Sequence, residues 1–507
     1  MKQRVVFFFS AFFLWVGISM PTYSQSIVLS ELFPKENKSM FFDIIGKSGD
    51  QLLIYKYLNR RHMLARYDLS MKLIRQDRLT ALPDKAFNLQ FVLQKDSLTV
   101  VYQHQKQQIV YCESYQIPIQ GDLGNDISVL DTTNIGFFAE NAIYQMAVSE
   151  NKKRYAIYKT HVKNGWMNLA VRVFDEQFVL TDSCRAGFSF RSNRESLSDL
   201  VIDNVGNLCL MQLMEKRADD KAASAAIIYR KAGDLEFART PISLEDQYLD
   251  EPIIRIDNIN HRCLVNAFYY DDRTESADGL YTLLFNMGAS IVERSAFNPF
   301  PETLKKSIQA GGNGKRGFDQ LLPRQLVVRK SGGFVLLLED FYSETLYNNN
   351  WNRGFMFNNP YGALNDYYWA SPYSYSYRPW DAADANSTTR FYANDVVVAS
   401  VDSTLQLTWS TVIPKKQLDV DTENFLSFSF MNTGKELKVL FIERDRTRHL
   451  LTGYSVQMDG TVVRDGTVRS QQTDIEFMPR LAQQVGARKL LIPYAYLSKL
   501  GFALIEL

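Results

Sequence analysis

The sequence predicts an all-β chain folded as a β-propeller of about eight four-stranded blades, with seven as the alternative count. Three observations predict it. A hairpin phrase recurs in register: Asp203-Asn204 leads to Cys209-Leu210, and 54 residues later Asp257-Asn258 leads to Cys263-Leu264, with each Asp six positions before its Cys. That interval lies near the kelch-type blade length of roughly 50 residues. Second, the runs Val335 to Leu338 and Val439 to Ile442 are apolar without alternation, so both faces of those strands must be covered. Radially stacked blades cover both faces, whereas a string of β-sandwich domains, the competing architecture, does not require it. Third, the final unit holds only three strands, and the first strand-like run, Ile27 to Phe33, belongs to no unit. It fits as the fourth strand of the last blade, pairing an otherwise open edge and closing the ring.

The units follow in order. In the first, Phe41 to Ile45 turns at Gly46 to Asp50 into Leu52 to Tyr55, and Met63 to Tyr67 turns at Asp68 into Lys72 to Ile74. Gly supplies positive φ at such turns, and Asp bonds its own backbone. The second unit starts near Asn88 and the third near Ile143; the fourth and fifth carry the Asp-Asn turns. A short helix is expected from Pro301 to Ala310, stopped by Gly311-Gly312. The sixth unit has a Ser331-Gly332-Gly333 turn, and its third strand, Asp395 to Ser400, arrives only after a long insertion at residues 342–394. The seventh starts at Phe425 and the eighth near Pro479.

The N-terminus reads as a signal peptide, residues 1–24, outside the fold. Lys2 and Arg4 precede an apolar run from Val5 to Met20, and Pro21-Thr22-Tyr23-Ser24 supplies a breaker and small residues. Cleavage after Ser24 leaves Gln25 first; cleavage after Ser26 and an uncleaved anchor helix are the alternatives. No later stretch reaches spanning length, so no transmembrane segment is expected once the signal is removed, and residues 25–507 form a single propeller domain. Removing Lys2 and Arg4 takes the formal charge from +1 to −1. A near-neutral chain lacks the basic field that nucleic acid requires. Aromatics are abundant, with 27 Tyr and 33 Phe, which suits pleated surfaces.

Chemistry is sparse. The five histidines (His62, His104, His161, His261, His449) fall singly in different units. No paired-His spacing points to a metal, and no cofactor is expected. No G-x-S-x-G elbow is present, and no catalytic residue is assigned. The run Gly311 to Gly317 lacks the spacing of a phosphate loop and reads as a connector. Cys112, Cys184, Cys209 and Cys263 are too scattered for a disulfide framework. Cys209 and Cys263 are expected as buried thiols on neighbouring strands that do not face each other, with a Cys184–Cys209 bridge as the alternative. Carboxylates gather where second strands end: Glu215, Asp271-Asp272, Glu339-Asp340, and Glu443 with Asp445. They read as solvated rim charges, the alternative being an acid–base pair of a glycosidase. Asp419-Val420-Asp421-Thr422-Glu423 alternates acids without the glycine of an EF-hand.

Several stretches carry a likeness. They are the Gln25 start, the Asp-Asn hairpins, Glu339-Asp340-Phe341-Tyr342 before a Tyr/Asn-rich insertion, Trp409 to Lys415, and Gln484 to Leu507. In these the chain resembles uncharacterised secreted proteins common in Bacteroidota. The resemblance implies a propeller-like fold and an envelope or extracellular location, and it brings no activity and no catalytic residues.

The insertion breaks the repeat rule. Tyr361, Tyr367, Tyr368, Trp369, Tyr373, Tyr375, Tyr377 and Trp380 crowd into it among Asn-rich turns. Long irregular loops in compact domains are commonly functional or disordered, and Tyr and Trp give flat area with a polar handle. The eight aromatics are therefore the expected contact surface for a protein or glycan partner. The expected function is a non-enzymatic binding or scaffold propeller, exported to the periplasm, cell surface or medium. A glycan-binding or glycan-active protein using rim loops is the alternative.

Overall fold

Successive hairpins of this chain build eight antiparallel sheets arranged as the blades of one propeller. The computed structural model describes residues 25–34, 41–121, 123–124, 126–136, 143–216, 221–272, 276–311, 320–347, 387–445, 448–468, 475–497 and 499–507. Blades 1 to 3 begin at Phe41–Ser48, Phe87–Leu93 and Gln145–Val148. Blade 4 has a split first strand, Ser196–Leu197 and Val201–Ile202. Blade 5 comprises Tyr248–Asp257, Arg262–Tyr270, Gly279–Asn286 and Ile291–Pro299. The helix Glu302–Gly311 follows, one residue displaced from its expected place, with Leu304 and Ile308 buried in the seam between blades 5 and 6. Blade 6 comprises Leu321–Val328, Phe334–Tyr347, Ser387–Val401 and Leu407–Val420. Blade 7 starts at Phe428–Asn432.

Blade 8 closes the ring as the sequence predicts. Its C-terminal strand Lys499–Glu506 pairs with Ser26–Leu29, Ser26 opposite Glu506 and Leu29 opposite Ala503. The closing strand breaks at Ser30 and resumes at Phe33–Pro34. The break is satisfied locally: Ser30 N–H donates to the Phe502 carbonyl, and Phe502 N–H donates to Ser30 Oγ.

Each neighbouring pair of blades shares its own apolar seam. The sequence of seams runs from blades 1–2 through blades 6–7 and 7–8 to blades 8–1. Second strands therefore have two covered faces. In blade 4, Leu208 and Leu210 face blade 3, while Cys209, Met211 and Leu213 face blade 5. Burial on both sides explains the missing alternation.

The recurring Asp-Asn phrase has a physical cause. The Asp203 carboxylate accepts from Val205, Gly206 and Asn207 N–H, and Asp257 accepts from Ile259 and Asn260 N–H, each closing its own turn. The following Asn reaches the preceding blade: Asn258 Oδ1 accepts from Asn204 N–H at 2.9 Å, and Asn204 Oδ1 accepts from Asn151 N–H at 3.0 Å. Carboxylates repeat the first of these roles at Asp68, Asp175 and Asp402. At the blade 6 turn, Gly332 and Gly333 have φ of +81° and +73°, and a Cβ on Gly333 would lie 2.4 Å from the Val401 carbonyl oxygen. No other residue fits there.

Three expectations need correction. All four cysteines are free and buried, but Cys209 and Cys263 do face each other: both lie in the blade 4–5 seam, and their thiols hydrogen-bond. The reason is register. Blade 4 pairs Val201 with Cys209, whereas blade 5 pairs Ile256 with Cys263, one place closer to the Asp. A one-residue slip turns every side chain to the other face.

Second, Glu339 and Asp340 are not rim charges. They lie within a strand, and both are buried.

Third, the insertion does not start at 342 or end at 394. Blade 6's second strand continues to Tyr347 and its third begins at Ser387, paired from Phe341–Ala393 out to Tyr347–Ser387. Cross-strand pairs such as Tyr342–Tyr392 and Thr345–Thr389 favour a ribbon over a loop.

Candidate functional site

The ribbon of blade 6 projects from the rim that carries the hairpins between second and third strands. The fourth strand, Leu407–Val420, follows it outward, with Leu418 opposite Tyr392 and Val420 opposite Arg390. Blade 7 does not extend in parallel, since its second strand ends at Asp445. The mismatch in length leaves a cleft of ≈ 640 Å³ between the ribbon, the near end of blade 7 and the start of blade 8. That is within the range of small-molecule sites.

Three sets of side chains line it. The ribbon supplies Tyr342 and Tyr392, stacked with centroids 4.5 Å apart. The end of the fourth strand and the link after it supply Lys416, Asp419, Asp421 and Phe425. Blades 7 and 8 supply Arg444, His449 and Glu476, the last two joined Nδ1 to Oε1 at 2.9 Å. Asp421 is structural, because its carboxylate accepts from Thr389 N–H at 2.8 Å and holds the ribbon base. Asp419 differs: burial first, then the charges of Glu476 and Asp421, push its carboxyl up to about 6 against the pull of Val420 N–H and His449. A carboxyl so placed exchanges its proton near neutrality, a property concentrated at functional sites.

Beneath the cleft lies a buried ionic cluster. Glu339 is fully buried and receives Arg324 Nε at 2.6 Å, Lys415 Nζ at 2.7 Å and Ser427 Oγ at 2.8 Å. Burial alone would raise its carboxyl, but Arg324 and Lys415 hold it well below the usual range, at about 2. Lys415 also bonds the Ala393 carbonyl and Gln417 Oε1, and Gln417 Nε2 donates to the Ile442 carbonyl in blade 7. The cluster thus clamps the ribbon base to blade 7. On its inner side, Arg324 and Ser427 border a second cavity of ≈ 390 Å³ among the first strands of blades 1, 6, 7 and 8. Asp340, bonded by Asn394 Nδ2 at 3.0 Å, is raised to about 6 by its burial.

The eight aromatics from Tyr361 to Trp380 lie outside the described residues, so the structure places none of them. The acid string separates: Asp421 bonds the ribbon, Asp419 lines the cleft, and Glu423 forms an ion pair with Arg480. Among the described residues, no group of three or more potential ligands is arranged for a metal ion. None of their helices is long and apolar enough to cross a membrane. Sequence reasoning missed Tyr392, His449 and Glu476. The one available signal was the Thr388 to Tyr392 run, whose β-branched and aromatic residues favour a strand.

Comparison with known proteins adds the following. No family model and no curated protein matches the chain. Solved structures do. An uncharacterised protein of Listeria monocytogenes EGD-e is similar at 10% identity and TM-score 0.35, covering 81% of this chain and 90% of that one. A prolyl endopeptidase is similar at 7% identity and TM-score 0.39, and this chain spans only about half of it, 54%, while 90% of this chain is covered. An oligogalacturonate lyase in complex with manganese is similar at 9% identity and TM-score 0.37, covering 96% of this chain and 97% of that one. At these identities and scores no functional argument passes between the chains.

Proposed function

We infer that the chain is an exported, non-enzymatic binding propeller whose ligand seat is the cleft between the blade 6 ribbon and blade 7. One observation carries the reading: among the described residues blade 6 alone outgrows the propeller body, and its outgrowth forms one wall of the cleft. Such a departure has no role in closing the ring, which is complete without it. The resemblance to secreted proteins of Bacteroidota and the N-terminal signal support export to the periplasm, cell surface or medium.

The test replaces residues 345–389 with Asn-Gly, which joins Glu344 to Arg390 through a tight type I′ turn and removes the outer ribbon. Immobilised wild-type protein is expected to retain a component of envelope or polysaccharide extracts that this variant releases. Equal retention by this variant rejects only the outer ribbon, since the cleft-lining residues remain in it; equal retention by an Arg444→Ala/Tyr392→Ala variant, or retention by neither protein, rejects the cleft as the seat.

A glycan-active enzyme is the second reading, and Asp419 favours it. A carboxyl raised to about 6 beside the hydrogen-bonded Glu476–His449 pair has the placing of a glycosidase acid next to a second carboxyl group. Release of reducing ends from retained polysaccharide, abolished by Asp419→Asn, would replace the binding reading with this one.

A further inference from the structure

We propose that Cys209 and Cys263 are the site of a disulfide that staples blade 4 to blade 5, formed when the chain folds in the presence of a disulfide donor.

Two contacts across the seam bring these cysteines together. Cys209 stands between Val201 and Tyr229 in blade 4, and Cys263 stands between Ile256 and Phe285 in blade 5. The two cross-strand rows meet. The Tyr229 and Phe285 rings lie 4.7 Å apart across the seam, and one strand away the two thiols hydrogen-bond. Both cysteines are fully buried. No other two cysteines share a seam. Cys112 lies between blades 2 and 3, and Cys184 lies between blades 3 and 4, on the other face of blade 4 from Cys209. A Cys184–Cys209 bridge is thereby excluded.

The chemistry suits a bridge. Sheets packed face to face carry a disulfide between them in immunoglobulin domains. Sulfurs already in hydrogen-bond contact have to close by about 2 Å at most to reach bonding distance. The route is thiol–disulfide exchange. The thiolate of one cysteine attacks a sulfur of the donor and releases one donor thiol; the second cysteine then attacks the mixed disulfide and releases the other. The chain gives up two hydrogens with their electrons, and the donor disulfide is reduced to two thiols. In the closed seam this exchange is slow. The bond to Cys209 first, and burial second, hold the Cys263 thiol far above its ordinary range, so the attacking thiolate is scarce there. Oxidation therefore belongs to folding, before blade 5 docks on blade 4.

A staple counts for most at this seam. The first strand of blade 4 is split into two pieces of two residues each, Ser196–Leu197 and Val201–Ile202. The hold of that blade on its neighbour rests the more on its second strand, Leu208–Met214, which carries Cys209. The bridge would also close a loop one repeat long, 54 residues from Cys209 to Cys263, and so remove freedom from the unfolded chain.

The test refolds the chain from Gln25 to Leu507 out of denaturant, once with reduced glutathione alone and once with a mixture of reduced and oxidised glutathione. Free thiols are then alkylated under denaturing conditions, and peptides are mapped by mass spectrometry without reduction. The oxidative arm is expected to give one cross-linked pair, Cys209 with Cys263, lighter by two hydrogens, with Cys112 and Cys184 alkylated. Its melting transition should lie about 2–4 °C above that of the reduced arm, and the difference should vanish in Cys263→Ala. A Cys112→Ala/Cys184→Ala variant should keep both the bridge and the shift. Four alkylated thiols after oxidative refolding overturn the proposal, as does a bridge that uses Cys112 or Cys184. So does a bridged form that melts at or below the reduced one, or a shift that persists in Cys263→Ala.

Discussion

Blades 5 and 6 are neighbours built by the same rule, and they differ in what they do with it. Blade 5 has strands of eight to ten residues, and its seam with blade 4 is apolar throughout, from Val265 and Leu283 to Phe285. Blade 6 obeys the rule in its inner half, where Leu336, Leu338 and Val397 are as dry as anything in blade 5. Its second, third and fourth strands then run on to 14, 15 and 14 residues. At the point where they leave the body, the seam with blade 7 changes from hydrocarbon to the Glu339 cluster. The contrast teaches that dry seams and ionic seams hold blades by different means. Dispersion and burial tolerate small shifts, whereas a buried ion cluster fixes one geometry and is costly when one member is lost.

The sharpest way to break this contrast is Glu339→Gln. It leaves Arg324 and Lys415 without their shared anion, and a loss of about 3–5 kcal/mol is expected by chemical denaturation. Its pH signature is specific. The Glu339 carboxyl sits below its ordinary 4.5 in the folded chain, so its contribution is present above that value and fades as pH falls toward about 2. The gap between wild type and variant should therefore narrow in acid. Leu283→Ala in blade 5 comes next, costing about 3 kcal/mol through lost contacts and a cavity, with a gap from wild type that does not change over the same pH range. If both gaps respond to acid alike, the two seams do not differ in kind.

Asp419→Asn tests the cleft side of blade 6 and has the opposite sign. Because the folded Asp419 carboxyl is raised from 3.8 to about 6, it favours the folded chain at low pH, and that contribution is lost as pH rises from about 4 to about 6. Partial exposure and screening keep the effect below about 1 kcal/mol. The variant should lack this decline, as read from midpoints at pH 4 and pH 7. The smallest effect belongs to the 345–389 replacement. Removing the outer ribbon should move stability by no more than about 0.5 kcal/mol, because the Glu339 cluster and the dry inner half remain. A loss of several kcal/mol would mean that the ribbon supports the blade and is not an addition to it.

Much of the ring was legible because it rests on local chemistry. Hairpin turns declare themselves through Asp, Asn and Gly, two-faced strands through unbroken apolar runs, and the helix through Pro301 and the glycines after it. The site was less legible. Ser387-Thr388-Thr389-Arg390 is polar, its β-branched threonines give only a weak strand signal, and it is held as strand by pairing with Glu344 to Tyr347. Glu339 follows an apolar run and looks like the solvated end of a strand; its cations, Arg324 and Lys415, stand 15 and 76 residues away. Asp419, His449 and Glu476 come from three blades, and nothing local joins them. The cysteine pair shows the finer limit, since a turn differing by one residue reversed the facing that equal spacing implied.

The pairing of Ser26–Leu29 with Lys499–Glu506 also sets a timetable. At about 5–20 residues per second, the ribosome needs roughly 25–100 s to make the partner of a strand it produced almost first. Until that partner arrives, the blades already made are an open arc, with the waiting strand Ser26–Leu29 ahead of blade 1. Blade formation is local and fast by comparison, with hairpins closing in about 1–10 μs. The last act of folding is therefore a long-range docking of two chain ends, and the same joint is the natural place for the ring to come apart. Lys56, buried beneath Phe33 of the returning segment at 4.1 Å and lowered to about 7 by burial, makes that joint firmer as pH rises from 7 toward the lysine's ordinary 10.5.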